Sequence, residues 1–285
     1  MSQVWASDTG DLANSVRTLD RDRFLCSQFA PAERRPAILV LYAFNQELAR
    51  IAESVSEPPL GQIRLRWWHD AVAAIFEGRS PPPHPVMPGL TEAIEKYDIE
   101  RHSFDAILTA RAFDLESEPP ANLDDLIAYA TGTSAALNAL VLDVLGVKDD
   151  ASADAARAAG IAWALIGLLR AVPHHARRRR LYLPADLCQA ASITEDEIFA
   201  GKAKSIGTEI ISVIAMEARR HLAEARSRRH EVDQAALPVL LPSILADTYL
   251  AQLAASGFDP FVAPSKSAGP LQIAALTWAA FRGRY

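Results

Sequence analysis

Cysteine is scarce in this 285-residue chain, which contains only Cys26 and Cys188 and no Cys-x-x-Cys pair. That usage argues against a disulfide framework and against a cysteine-based zinc site, and it fits a reducing compartment. The N-terminal segment carries Asp8 and Asp11 and has no apolar core. We therefore expect neither a secretory signal nor a typical transit peptide.

Strand signals and long apolar runs are also missing. Alternating runs rich in Val, Ile and Thr do not occur, nor do Asn-Gly or Asp-Gly turns, which argues against a β-sheet. The longest apolar stretches, 158–169 and 237–246, are shorter than the roughly 20 residues of a bilayer span, so no transmembrane helix is expected. A net charge of −6 gives no general attraction to nucleic acid.

The pattern that is present is helical. Half of the residues are hydrophobic and 22% are charged, a globular composition. From Ile38 onward the apolar positions recur with a spacing of 3.6 residues: Ile38, Leu41, Tyr42, Leu48, Ala49 and Ala52. We predict an all-α fold of about ten helices in one domain spanning 1–285, in which residues 1–20 can form a flexible segment.

Prolines and capping residues divide the chain. Pro58 and Pro59 are predicted to stop one helix, with the next running from Leu60 to Phe76, and 81–85 reads as a rigid loop. Asn122 is a good N-cap, and Thr194 begins a capping box. Further helices are predicted for 122–146, 207–229, 238–256 and 270–281.

The segment 42–47, Tyr-Ala-Phe-Asn-Gln-Glu, resembles a motif of the squalene/phytoene synthase family. The resemblance implies aspartates at positions 49, 50 and 53, which in that family bind the magnesium ions that neutralise a substrate diphosphate. This sequence has Ala49, Arg50 and Glu53 there. Arg50 would repel magnesium but could bind a phosphate or carboxylate, and the alternative is that Arg50 and Glu53 form a solvated helix face.

A second motif of the same family is recognisable at 160–184. Arg170 and the run Arg180-x-Tyr182-Leu183-Pro184 match it, whereas the metal-ligand positions hold Gly167, Ala171 and His175. The four-residue spacing of those three positions puts them on one helix face, which lacks its ligands. Because both motifs have lost ligands at corresponding positions, we expect no catalytic magnesium cluster.

Two histidines and a proline follow in the same helix. Adjacent side chains on a helix point about 100° apart, so His174 and His175 are poorly placed to share a transition metal with Glu53. A role as hydrogen-bonded cavity histidines is the better interpretation. Pro173 is expected to distort the helix.

The most prominent basic feature is the run Arg177, Arg178, Arg179 and Arg180. Three interpretations stay open: a solvated basic loop, a surface for anionic lipid headgroups, and a site for an acidic partner or a phosphate. The anionic-surface interpretation rests on Arg177, Arg178 and Arg179.

Several segments resemble a branch of the family that acts in assembly of mitochondrial respiratory complex I. They are 54–57, 60–64 with Trp67, 169–175 and 178–186. The resemblance implies a helical isoprenoid-synthase bundle around a central cavity that serves as a non-catalytic assembly factor. It implies complex I subunits or assembly intermediates as partners, and a location in the bacterial cytoplasm, peripheral at the inner membrane, or on the matrix side of a mitochondrion.

We predict no catalytic residue, no metal and no cofactor, and a ligand-binding cavity. Its candidate residues are Tyr42, Glu47, Arg50, Glu53, Arg170, His174, His175, Arg180 and Tyr182. One alternative is a prenyl-diphosphate transferase with degenerate motifs that uses Mg²⁺. Another is a peripheral membrane protein that binds an isoprenoid or lipid. Ordinary packing is expected for Tyr129 and for Trp67, Trp68, Trp163 and Trp278.

Overall fold

The computed structural model of the chain describes residues 4–202, 207–263 and 268–285. Within these ranges it contains helices and turns and no β-strand, so the prediction of an all-α fold is confirmed. The helices are α1 (Val4–Leu19), α2 (Arg21–Ser27), α3 (Arg35–Ala49), α4 (Ile51–Ser54), α5 (Pro58–Phe76), α6 (Met87–Tyr97), α7 (Arg101–Arg111), α8 (Leu123–Ala130), α9 (Ala136–Leu145), α10 (Asp150–Arg177), α11 (Ala185–Ala190), α12 (Glu195–Phe199), α13 (Ser212–Ser227), α14 (Leu237–Leu240), α15 (Pro242–Ala255) and α16 (Pro270–Phe281).

These described helices outnumber the ten or so expected, because several are short segments such as α4 and α14. A turn of π-helix at Thr131–Ala135 divides the helix predicted for 122–146, and another at Gly207–Ile211 begins the one predicted for 207–229. At the N-terminus, the segment considered as flexible contains α1, whose Val16 is fully buried.

Helix starts follow the capping chemistry of the sequence. Pro58 and Pro59 occupy the first turn of α5, where the missing N–H is not needed, so this helix begins two residues earlier than predicted. The side chain of Asn122 accepts a hydrogen bond from the backbone N–H of Asp125, as expected of an N-cap. The capping box between Thr194 and Glu197 is also present.

The long helix α10 connects the two parts of the core. Its first half, with Ala155 and Ala159, packs into a cluster formed mainly by α3, α5, α6, α7 and α9. Its second half, with Ile161 and Leu169, packs into a cluster with α13, α15 and α16. Pro173 lies inside α10 and does not end it.

Three continuous helical stretches are long enough and apolar enough to cross a membrane, judged by length and composition alone. They cover 123–145, 150–177 and 234–255. The expectation that no segment reaches this length was wrong, because it considered only unbroken apolar runs. In the fold, 56%, 61% and 67% of their most apolar windows are buried against the rest of the protein.

Helix α16 has an apolar face on the outside of the protein. Leu271, Trp278 and Phe281 are 83%, 61% and 82% exposed, whereas Leu276 and Ala279 are buried. The expectation that Trp278 is a packing residue is therefore wrong: the helix buries its opposite side. This outer face carries no charged residue between 270 and 281.

Candidate functional site

The two segments that resemble family motifs meet through contacts of Glu53 with His174 and Arg178. Glu53 in α4 lies 2.8 Å from Nε2 of His174 in α10, and its other oxygen lies 3.4 Å from a guanidinium nitrogen of Arg178. All three side chains are partly exposed. We call Glu53, His174 and Arg178 the Glu53 cluster.

This arrangement does not fit the magnesium cluster that the family resemblance implies. Such a cluster needs hard oxygen ligands from both motifs, but the second motif supplies only carbon and nitrogen from Gly167, Ala171 and the histidines. Over the described ranges, no group of three or more His, Cys, Asp or Glu is placed to hold a metal ion. Glu53 instead has cationic and imidazole partners.

A second group of polar side chains forms a buried network centred on Asp114. One carboxylate oxygen accepts hydrogen bonds from the hydroxyls of Tyr129 and Tyr182, at 2.8 and 2.7 Å. The other accepts from the guanidinium of Arg111 at 3.0 Å, and Arg111 also donates to the amide oxygen of Asn45 at 3.2 Å. We call these five residues the Asp114 network.

The pKa shifts in the Asp114 network keep its two tyrosines neutral and its arginine charged. Burial raises the pKa of both Tyr129 and Tyr182, with Asp114 raising each further, so both phenols stay protonated as donors. Burial alone would lower the pKa of Arg111, but Tyr129 and Asp114 raise it overall. The network is therefore a fixed ion pair with neutral phenols.

His175 and Arg180 cover the Asp114 network. The His175 ring lies 4.7 Å from the Tyr182 ring, and burial, followed by the neighbouring His174, lowers the His175 pKa to about 4. Arg180 donates to the carbonyl of Phe113 at 2.6 Å and lies 5.1 Å from the Tyr182 ring centre. His175 is thus a neutral, half-buried histidine at neutral pH, and its role in a cavity stays a prediction.

Arg170 belongs to a different set of contacts. Its guanidinium lies 3.6 Å above the ring centre of Tyr249 and 3.8 Å from the carboxylate of Asp22. Asp22 is buried and accepts hydrogen bonds from the Tyr249 hydroxyl at 2.6 Å and from the backbone N–H of Ala268 at 3.0 Å. This anchors the start of α16 to α2 and α15.

Two clefts, of about 170 and 220 Å³, open on either side of Trp163 and Gly167 in α10. The first reaches the Asp114 network through Arg111, and the second reaches Arg170. Tyr42 is buried, with the Arg23 guanidinium 5.8 Å from its ring centre. Both clefts border α10, and the predicted residues Glu47, Arg50 and Glu53 line neither of them.

Glu47 and Arg50 line a separate pocket of about 390 Å³. It lies between the end of α3, α4, α5 and the proline-rich loop, and we call it the tryptophan pocket. Its lining is Glu47, Arg50, Ile51, Ser54, Arg64, Trp67, Trp68 and His84. The nine predicted ligand residues are therefore distributed over distinct places instead of a single cavity.

Most arginines of the basic run 177–180 are engaged by partners within the protein. Arg178 belongs to the Glu53 cluster, Arg179 is 2.9 Å from Asp196, and Arg180 is bound to the Phe113 carbonyl. Within the described part of the chain, only Arg177 of the four has no ionic or hydrogen-bonding partner. The anionic-lipid surface at Arg177, Arg178 and Arg179 stays a prediction.

Sequence reasoning missed Asp114, Arg111 and Asp22. A weak signal existed, since Arg111 and Asp114 are three residues apart, a spacing at which opposite charges pair on a helix. Tyr129, predicted to be structural, is a member of the network. Nothing in the sequence pairs Asp22 with Tyr249, which is 227 residues away.

Comparisons with known proteins identify the family and agree with the helical fold. A profile of the family described as Squalene/phytoene synthase matches residues 16–277. Complex I assembly factor 6 of Bos taurus is 32% identical over 246 residues, covering 86% of this chain and 74% of that protein. Phytoene synthase 1 of Arabidopsis thaliana is 25% identical over 284 residues, covering 94% and 67%.

Solved structures share the fold. A squalene synthase, HpnC, from Alicyclobacillus acidocaldarius superposes with a TM-score of 0.78 at 20% identity, covering 90% of this chain and 96% of that one. A dehydrosqualene synthase bound to a ligand gives 0.80 at 17% identity, covering 98% and 97%. The profile spans most of the chain and the helical fold agrees with it: the chain belongs to the squalene/phytoene synthase family.

Proposed function

We propose that this protein is a non-catalytic member of its family that acts in the assembly of respiratory complex I. The observation that carries the proposal is the Glu53 cluster. Where a synthase opposes carboxylates across its cavity, this chain opposes Glu53 to His174 and Arg178 at contact distance.

The physical argument concerns the diphosphate leaving group. Ionising a prenyl diphosphate concentrates negative charge, which metal ions normally stabilise. Two carboxylate clusters facing each other attract those ions, whereas Glu53 and a guanidinium satisfy each other directly. The site is neutralised by its own side chains, which supports a retained fold without the chemistry. Relatives at 31–32% identity that are named complex I assembly factor 6 support the assembly role.

The test of the assembly role is a deletion strain of the source organism. We expect a reduced level of assembled complex I on native gels and reduced NADH oxidation by isolated membranes, both restored by the wild-type gene. A normal level of complex I in the deletion strain would reject the assembly role.

The proposal that the protein is non-catalytic is tested separately. Purified protein incubated with farnesyl or geranylgeranyl diphosphate and Mg²⁺ should release no diphosphate. Magnesium-dependent release would support the alternative, a prenyl-diphosphate transferase, and would mean that Glu53 and Glu47 contribute to a metal site that the family motifs no longer specify.

A second candidate function, binding to a membrane surface, is favoured by the outer face of α16. Leu271, Trp278 and Phe281 project from a helix without charge, and the exposed Arg282 and Arg284 follow it. Arg282 lies 5.4 Å from the Trp278 ring centre. An exposed apolar helix face with tryptophan and flanking cations is typical of helices that lie in a lipid interface, here the anionic cytoplasmic face of an inner membrane.

Liposome flotation tests this second candidate. The double variant Trp278→Ser/Phe281→Ser should lose binding to vesicles that contain anionic lipid, and added salt should weaken binding of the wild type. Met216→Ser is the matched control, because Met216 is also apolar and 58% exposed but lies on α13. Equal binding by both variants would reject α16 as the membrane contact.

A further inference from the structure

The tryptophan pocket is built from residues outside the Glu53 cluster and the Asp114 network. Glu47, Arg50 and Ser54 line it, whereas Glu53 points toward α10. The lining of this pocket comes from the segments 47–54 and 64–68 and from His84, whereas the partners of Glu53 lie at the end of α10. The pocket is therefore a second site, separate from the place where the two family motifs meet.

Positive charge in the tryptophan pocket exceeds negative charge. The Arg50 guanidinium has no ionic or hydrogen-bonding partner among the residues that the structure describes. Among the described residues, the side chain of Arg64 donates to one neutral group, the hydroxyl of Ser54, at 2.7 Å, which holds its guanidinium at the pocket. Against these two cations stands one carboxylate, Glu47.

His84 adds no charge at neutral pH. Its Nδ1 accepts a hydrogen bond from the backbone N–H of Val86 at 3.2 Å, so the proton resides on Nε2, which lies 3.9 Å from the Glu47 carboxylate. Burial lowers the His84 pKa, and Glu47 raises it to a smaller extent. The neutral imidazole packs against Trp68, with ring centres 4.8 Å apart.

Two tryptophans supply the apolar part of the lining of the tryptophan pocket. Trp68 is 4% exposed, and its ring centre is 5.2 Å from that of Trp67, which is half-buried. Aromatic walls with a few placed charges are the usual lining of small-molecule sites, and about 390 Å³ is within the usual volume range. Arginine favours phosphate and carboxylate through its forked donors.

We propose that the tryptophan pocket binds a small organic anion, a phosphate or carboxylate attached to an apolar or planar group. The anionic group binds Arg50 and Arg64, and the apolar group lies against Trp67. This inference does not rest on the proposed role in complex I assembly, since binding is measured on the purified protein alone.

Titration of 5-fluorotryptophan-labelled protein with phenyl phosphate, followed by ¹⁹F NMR, tests this site. We expect saturable shifts of the Trp67 and Trp68 resonances, assigned with Trp67→Phe and Trp68→Phe. Phenylacetate, titrated in parallel, distinguishes a phosphate from a carboxylate preference. Benzyl alcohol, which lacks the charge, should give no saturable shift.

Variants of the charged residues give a more specific test, because loss of an arginine and loss of the glutamate should change the Kd for phenyl phosphate in opposite directions. Arg50→Gln and Arg64→Gln should each raise the Kd for phenyl phosphate about tenfold. Glu47→Gln should lower it. Arg66→Gln is the matched control for Arg64→Gln. Arg66 lies on α5 like Arg64, is 74% exposed and pairs with Asp70 outside the pocket. Saturation by neither anion, or equal Kd values for the Arg64 and Arg66 variants, would overturn the proposal.

Discussion

Glu53 and His174, 121 residues apart in sequence, form a hydrogen bond of 2.8 Å between two motifs that in a synthase would face each other through metal ions. The bond joins α4 to α10 at the rim of the bundle. Because the two side chains are 39% and 45% exposed, water and salt screen their attraction.

This exposure predicts a weak coupling. In a double-mutant cycle with Glu53→Gln and His174→Gln, we expect a coupling energy of no more than about 1 kcal/mol, because exposed ion pairs contribute little. Urea unfolding at low and high salt measures it, and the coupling should fall as salt rises. A coupling several times larger, unchanged by salt, would contradict the picture of a solvated cluster.

The Asp114 network should contribute much more. Asp114→Ala leaves the Arg111 guanidinium buried and without its carboxylate, a change that costs roughly 3–5 kcal/mol of unfolding free energy. Urea denaturation measures this loss. Asp70→Ala, which removes an exposed partner of Arg66, is the control and should leave the stability unchanged. Similar effects of the two variants would show that the network is not a stabilising element.

Acid should destabilise the protein through His175. Its pKa is about 4 in the folded state against an ordinary 6.5, so between these values the unfolded chain binds a proton that the folded protein does not. Stability therefore falls as the pH falls from 6.5 toward 4, by roughly 3 kcal/mol from this group. His175→Gln should lose that part of the pH dependence, measured by urea unfolding at several pH values.

His102→Gln serves as the control for the pH experiment. The His102 side chain is 71% exposed, and its replacement should leave the pH dependence as in the wild type. If His175→Gln and the wild type change stability equally between pH 6.5 and 4, His175 is not the group responsible.

Two glycines in α10 should respond oppositely to alanine. A Cβ on Gly160 would lie 2.6 Å from the Cα of Ala135 in the neighbouring π-helical turn, so Gly160→Ala should cost roughly 1–3 kcal/mol. At Gly167 a Cβ meets nothing within 4 Å, and Gly167→Ala should gain up to about 1 kcal/mol from helix propensity. Thermal unfolding of both variants measures the contrast, and equal midpoints would show that α10 and the π-helical turn are not tightly packed.

The sequence by itself determined the helical class and the family, and it predicted the loss of metal ligands. Helical periodicity and capping are local properties, so the caps at Asn122 and Thr194 could be predicted from a few letters. Likewise, Arg50 at an expected aspartate position is visible without coordinates. A substitution at an aligned position can be read from the sequence alone.

Only the tertiary structure decided which charges meet. Glu53 pairs with His174 and Arg178, and Asp22 with Tyr249, because helix packing brings together residues more than a hundred positions apart. Packing also decided exposure. Tryptophan is usually a packing residue, yet Trp278 lies on the solvent-facing side of α16. Periodicity predicts which side chains share a helix face. It does not predict which element packs against that face, because burial depends on contacts between distant segments.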